Sequence, residues 1–151
     1  MPTFRCFLPA WIAAWVVAIF LPSVVIAWLG LSPAVPATGG SLERLLAGSW
    51  KVADDVGPVV KLMIGGLLLA GFLAVERLSP AGRLAACAAI GVLAMIATIA
   101  FVPPDYSRGF AAALTGARFD SAVTPIYLLG ALLAGLVYAT GSARCRRRSQ
   151  G

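Results

Sequence analysis

The chain is 151 residues long, 60% hydrophobic and only 12% charged, with 12 Lys and Arg against 6 Asp and Glu and a net charge of +6. Soluble domains average about 45 to 50% apolar and about 25% charged residues, so a water-soluble fold is excluded and a single membrane domain is expected. Histidine is absent, which removes the commonest metal ligand, the usual haem ligand and the usual general base.

The first apolar segment covers residues 7–31, preceded by Arg5 and free of internal charge. At about 1.5 Å per residue it exceeds a hydrocarbon core of about 30 Å. A cleaved signal peptide is the rival reading, because Ala34-Val35-Pro36-Ala37 offers small residues. A signal h-region is only about 7 to 15 residues long, so a retained anchor is favoured. Pro22 is expected to kink this span, with Ser23 satisfying freed backbone groups. Trp11 and Trp28 fall near its ends, as in aromatic belts. Beyond it, Leu42, Leu45, Leu46, Trp50 and Ala53 recur at helical spacing behind Gly39-Gly40-Ser41, with Glu43, Arg44 and Lys51 elsewhere on the wheel. That pattern describes a short amphipathic helix on the membrane surface.

The second span covers residues 58–75 and the third 84–102, joined by a tight turn from Glu76 to Arg83 that contains Ser79-Pro80 and Gly82. An eight-residue connection of this composition links antiparallel helices. Lys61, in the first turn of the second span, can snorkel to the interface. A second outer loop, residues 103–122, carries Tyr106, Phe110 and Leu114 at i, i+4 and i+8 behind a capping Asp105. The fourth span covers residues 123–140, with Pro125 in its first turn. Gly141 is expected to end it, leaving residues 141–151 as a basic tail.

The fold class is therefore an all-α membrane protein: a four-transmembrane-helix bundle with short amphipathic helices in the two outer loops. Orientation follows from the basic residues. Arg5, Arg77, Arg83 and the cluster Arg144, Arg146, Arg147 and Arg148 lie on one side, against Arg44, Lys51, Lys61, Arg108 and Arg118 on the other. The cluster abutting the last span sets both termini in the cytoplasm. It is a topology signal rather than a nucleic-acid surface, and it also attracts anionic headgroups. The Ala, Gly and Arg bias suggests a bacterial chain, hence the inner membrane.

Candidate interaction residues are the small ones, since close backbone approach drives helix association in lipid. Gly66 and Ala70 stand four apart in the second span; Cys87, Gly91, Ala94 and Thr98 form one stripe on the third; Gly130 with Ala134, and Ala131 with Gly135, recur in the fourth. They serve either packing within the chain or contact with a second copy or another membrane subunit. No span carries an ionisable residue at its midplane, which argues against an ion-coupled transporter. A passive pore lined by hydroxyls such as that of Thr98 stays open. The candidates for acid and base chemistry are the outer carboxylates. Asp55 and Asp105 would form an aspartyl pair if the outer loops met, with Arg108 as an anion contact. The plainer alternative has Asp54 and Asp55 capping the second span.

Cys6, Cys87 and Cys145 are odd in number and widely spaced, so neither a disulfide framework nor a zinc ribbon is indicated. In a reducing cytoplasm Cys87 is a small buried residue and the other two are incidental or lipid-modified. No metal and no cofactor is implied. The function read from the sequence is a non-catalytic accessory, assembly or oligomeric protein of the membrane. A small transporter or channel is the alternative, and a membrane-embedded hydrolase or lipid-active enzyme the second.

Overall fold

The computed structural model describes residues 2–31, 41–76, 78, 80–103 and 122–148. Its described residues form five α-helices and no strand: α1 (Pro2–Leu29), α2 (Leu42–Asp55), α3 (Pro58–Val75), α4 (Pro80–Phe101) and α5 (Thr124–Arg148). All but α2 are long and apolar enough to cross a membrane. Only 33 to 44% of each span is buried, and the outward remainder carries Leu62, Leu73, Leu93, Phe101 and Leu129. So much exposed apolar surface is stable in lipid and not in water.

Helix ends follow local chemistry. Leu31 N–H bonds the Ile26 carbonyl and Gly30 N–H the Ala27 carbonyl, with Gly30 left-handed at φ 64°. This glycine closure stops α1 two residues short of the expected end. Ser41 caps α2, its hydroxyl accepting from Arg44 N–H. Between α2 and α3 the chain breaks at Gly57, φ 78°, because Pro58 disfavours a helical residue before it. Asp54 and Asp55 therefore close α2 rather than cap the second span, and Gly57 caps α3 without a side chain.

Two boundaries extend past expectation. α4 starts at Pro80, where a first-position proline loses no hydrogen bond. α5 runs through Gly141 to Arg148, so the basic segment is helical. Glycine costs only about 1 kcal/mol inside a helix, and arginines in the last turn complement its negative end. The second outer loop, with its expected Tyr106, Phe110 and Leu114 stripe, lies outside the described residues.

Neighbouring spans pair in sequence around the fold: α1 packs on α5, α5 on α4, α4 on α3, and α3 returns to α1, with α2 lying on α1. The buried core is built from Ala14, Ala18, Ile26, Ile64, Leu68, Phe72, Met95, Ile99, Tyr127, Ala134 and Tyr138. α2 turns Gly48, Ser49, Val52 and Ala53 inward. Leu42, Leu46 and Trp50 stay exposed, the Trp50 ring 5.7 Å from that of Phe20 on α1.

Candidate functional site

Three features gather the residues that matter: indoles joining α1 to α3, a glycine seam joining α4 to α5, and a polar knot where α1, α3 and α5 end together.

Trp11 and Trp15 sit one turn apart on α1 with stacked rings, 5.5 Å between centroids. Trp11 Nε1–H donates to the Gly65 carbonyl at 3.1 Å and Trp15 Nε1–H to the Lys61 carbonyl at 2.8 Å. Helical carbonyls retain a second lone pair for such bonds, and the matched i, i+4 spacing fixes α3 antiparallel to α1. A Cβ on Gly65 would stand 2.9 Å from the Trp15 indole, so glycine is what admits the ring. Trp11 thus ties two spans together. Pro22 leaves α1 unbroken; Ser23 Oγ–H donates to the Ile19 carbonyl at 2.7 Å, and the Pro22 ring rests where Gly130 of α5 has no side chain.

The α4–α5 seam is reciprocal. A Cβ on Gly91 would overlap the Ala131 carbonyl, and one on Gly135 the Cys87 carbonyl. Cys87, Ala94, Thr98, Ala131 and Ala134 are buried with them. Thr98 Oγ1–H donates to the Ala94 carbonyl of its own helix at 2.8 Å, so its hydroxyl is spent within α4. Gly66 and Ala70 differ: both are exposed, and a Cβ on Gly66 would meet nothing within 4 Å. The glycine that α3 uses inside the chain is Gly65, one residue earlier. What marks it in the sequence is its i+4 spacing from Lys61 matched to Trp11 and Trp15.

The polar knot centres on Tyr138. Phe72 of α3 stacks on its ring, 4.0 Å between centroids, and Phe7 of α1 meets it edge-on at 5.6 Å. The Tyr138 hydroxyl donates to Glu76 Oε1 at 2.5 Å, while Arg146 donates to both Glu76 oxygens, at 2.6 and 3.2 Å, and to Ser142 Oγ at 3.2 Å. Such forked, charge-assisted contacts are the stronger class of hydrogen bond. Burial acts to raise the Glu76 pKa, but hydrogen bonds from Arg146 and Tyr138, with the charges of Arg146 and Arg83, hold it below its ordinary 4.5. Arg146, expected as a topology charge alone, also clamps α5 to the end of α3. The signal was present: Tyr138, Ser142 and Arg146 recur every four residues, and Glu76 is the sole acid in the Arg-rich connection and tail segments.

The same end carries a covalent tie. Cys6 and Cys145 form a disulfide with Cα atoms 5.5 Å apart, which corrects the expectation of separate, incidental thiols. Their separation of 139 residues hides a pairing that only antiparallel packing of α1 and α5 creates. Cys87 is a free, buried thiol.

At the opposite end, Lys61 Nζ lies 4.0 Å from Asp54, whose carboxylate is largely exposed, a geometry that contributes little. Asp55 is half-buried at the end of α2, and Asp105 and Arg108 lie outside the described residues. The described residues hold no group of three potential metal ligands. Of the remaining basic cluster, Arg144, Arg147 and Arg148 occupy the last turns of α5. Compared with protein-family models, curated proteins and solved structures, the chain matches none.

Proposed function

We propose that this chain is a non-catalytic protein of the bacterial inner membrane that works through helix-face contacts, as a homo-oligomer or as an accessory or assembly subunit of a larger membrane complex. One observation carries the reading. The small residues of α4 and α5 are packed within the chain, most of them in the seam between these two helices, whereas Gly66 and Ala70 of α3 are exposed and a Cβ on Gly66 would meet no described atom within 4 Å. In lipid, such a face gains contact only by meeting another helix. In this reading the four spans form a bundle, α2 lies in the outer interface with Leu42, Leu46 and Trp50 toward lipid, and both termini are cytoplasmic.

Chemical crosslinking in native membranes, followed by mild-detergent purification and mass spectrometry, tests the proposal. A crosslinked second copy or a stoichiometric membrane subunit is expected, reduced about tenfold by Gly66→Leu with Ala70→Leu, as disruption of a small-residue interface requires. A strict monomer without partners removes the proposal and moves attention to solute flux and to Asp55→Asn and Asp105→Asn.

A further inference from the structure

A cleft of about 430 Å³ opens at the arginine-rich end, between the first turn of α4 and the last turns of α5. Its polar lining is Arg83, Arg144, Arg147 and Thr140, and its apolar lining Leu84, Ala139 and Ala143. We propose that this cleft binds a phosphate group, the headgroup of an anionic phospholipid, with the lipid's chains running down the outer face of α5.

Charge is the first argument. Glu76 is the acid at this end among the described residues, and both its oxygens are taken by Arg146. Among the described residues no salt bridge neutralises Arg83, Arg144 or Arg147. Three guanidinium groups around one concavity repel one another until an anion enters, and planar guanidinium forks match phosphate oxygens.

Position is the second argument. The cleft sits where the apolar spans end, which is headgroup depth in a bilayer. Below Arg144 and Thr140, the same face of α5 continues through the exposed Leu133 and Leu129, a track for an acyl chain. A soluble phosphate ion would make no use of that track or of Leu84, itself exposed at 47%. Arg83 belongs to a different helix from the other two, so the site exists only where α4 and α5 meet. That separates it from simple attraction between a basic tail and a charged membrane.

The test is native mass spectrometry of the full chain from mild detergent, titrated with dioleoylphosphatidylglycerol or with zwitterionic dioleoylphosphatidylcholine. The anionic lipid is expected to bind at least about tenfold more tightly. Arg83→Gln, Arg144→Gln and Arg147→Gln together should weaken it roughly a hundredfold, and Arg147→Gln alone, on the exposed last turn where folding is safe, about fivefold. Arg5→Gln with Arg148→Gln, at the same end but outside the cleft, should change it less than about threefold on the same basis. Equal losses in the two variant sets, or equal affinity for the two lipids, would overturn the site. Millimolar inorganic phosphate at constant ionic strength should leave lipid occupancy unchanged; displacement would assign the cleft to soluble phosphate and end the lipid proposal.

Discussion

Tyr138 shows how one side chain holds three helices. Its ring takes Phe72 on a face and Phe7 at an edge, and its hydroxyl reaches the carboxylate that Arg146 clamps. Aromatic contacts of this kind contribute about 0.5 to 1.5 kcal/mol beyond burial, and hydrogen bonds to charged groups about 1.5 to 3 kcal/mol. Glu76→Gln, which keeps the shape and removes the charge, should therefore lower unfolding stability by about 1.5 to 3 kcal/mol. The folded-state pKa of Glu76 is depressed, so its stabilisation is complete above the ordinary value of 4.5 and is lost as pH falls through the lower folded value. Melting temperatures of wild type and Glu76→Gln should thus converge as the pH falls below 4.5; parallel acid profiles would show that the ion pair contributes nothing. The sequence displayed Tyr138, Ser142 and Arg146 at helical spacing, but their acceptor lies 62 residues from Tyr138, beyond the reach of any periodicity.

Glycine decides contact at the scale of helices, and its meaning depends on a single residue of register. Gly91 and Gly135 each face the backbone of the neighbouring helix, with no side chain between. Gly65 admits Trp15, whereas Gly66 beside it faces outward with open space. Gly91→Leu or Gly135→Leu should force α4 from α5 and cost about 2 kcal/mol or more in a detergent unfolding titration. Gly66→Leu should cost less than about 0.5 kcal/mol in the same titration, while reducing the crosslinking that the proposed function expects. A large destabilisation from Gly66→Leu would place that face inside the fold. On α4 and α5 small-residue spacing fixes which residues share a face, and the seam between the two helices runs through Gly91 and Gly135. On α3 the facing partners are indoles from a helix about 50 residues away, and nothing in the spacing of Gly66 and Ala70 reveals which way they point.

Across the whole molecule, two signals meet at one end. In the proposed topology the arginine cluster turns that end to the cytoplasm, whereas disulfides persist in oxidising compartments. Under that proposed topology, the two cysteines that the structure joins would stand in the cell as neighbouring thiols and join on oxidation. Alkylation of intact cells with a maleimide reagent of added mass, before lysis, is expected to shift the protein by both thiols together with any reaction at Cys87. Cys6 and Cys145 found protected by a native bond would invert the topology, placing the termini on the oxidising side. Once formed, the bond should stabilise the fold by about 2 to 4 kcal/mol, a gain absent in Cys6→Ser and reversed by reductant in the wild type.

What the sequence determined alone was the number and position of the apolar spans, because length and hydropathy act locally and lipid rewards them residue by residue. The helix stops at Gly30 and Gly57 also rest on local glycine and proline geometry, although the apolar pattern alone carried the first span on to residue 31. Contacts between helices were not local. The Glu76 clamp, the cleft between α4 and α5, the outward turn of Gly66 and the pairing of Cys6 with Cys145 depend on how each helix is rotated about its axis and on which helices are neighbours. Uniformly apolar spans carry little polar pattern to fix that rotation, so it is settled by backbone approach and aromatic fit, which exist only once the helices are packed.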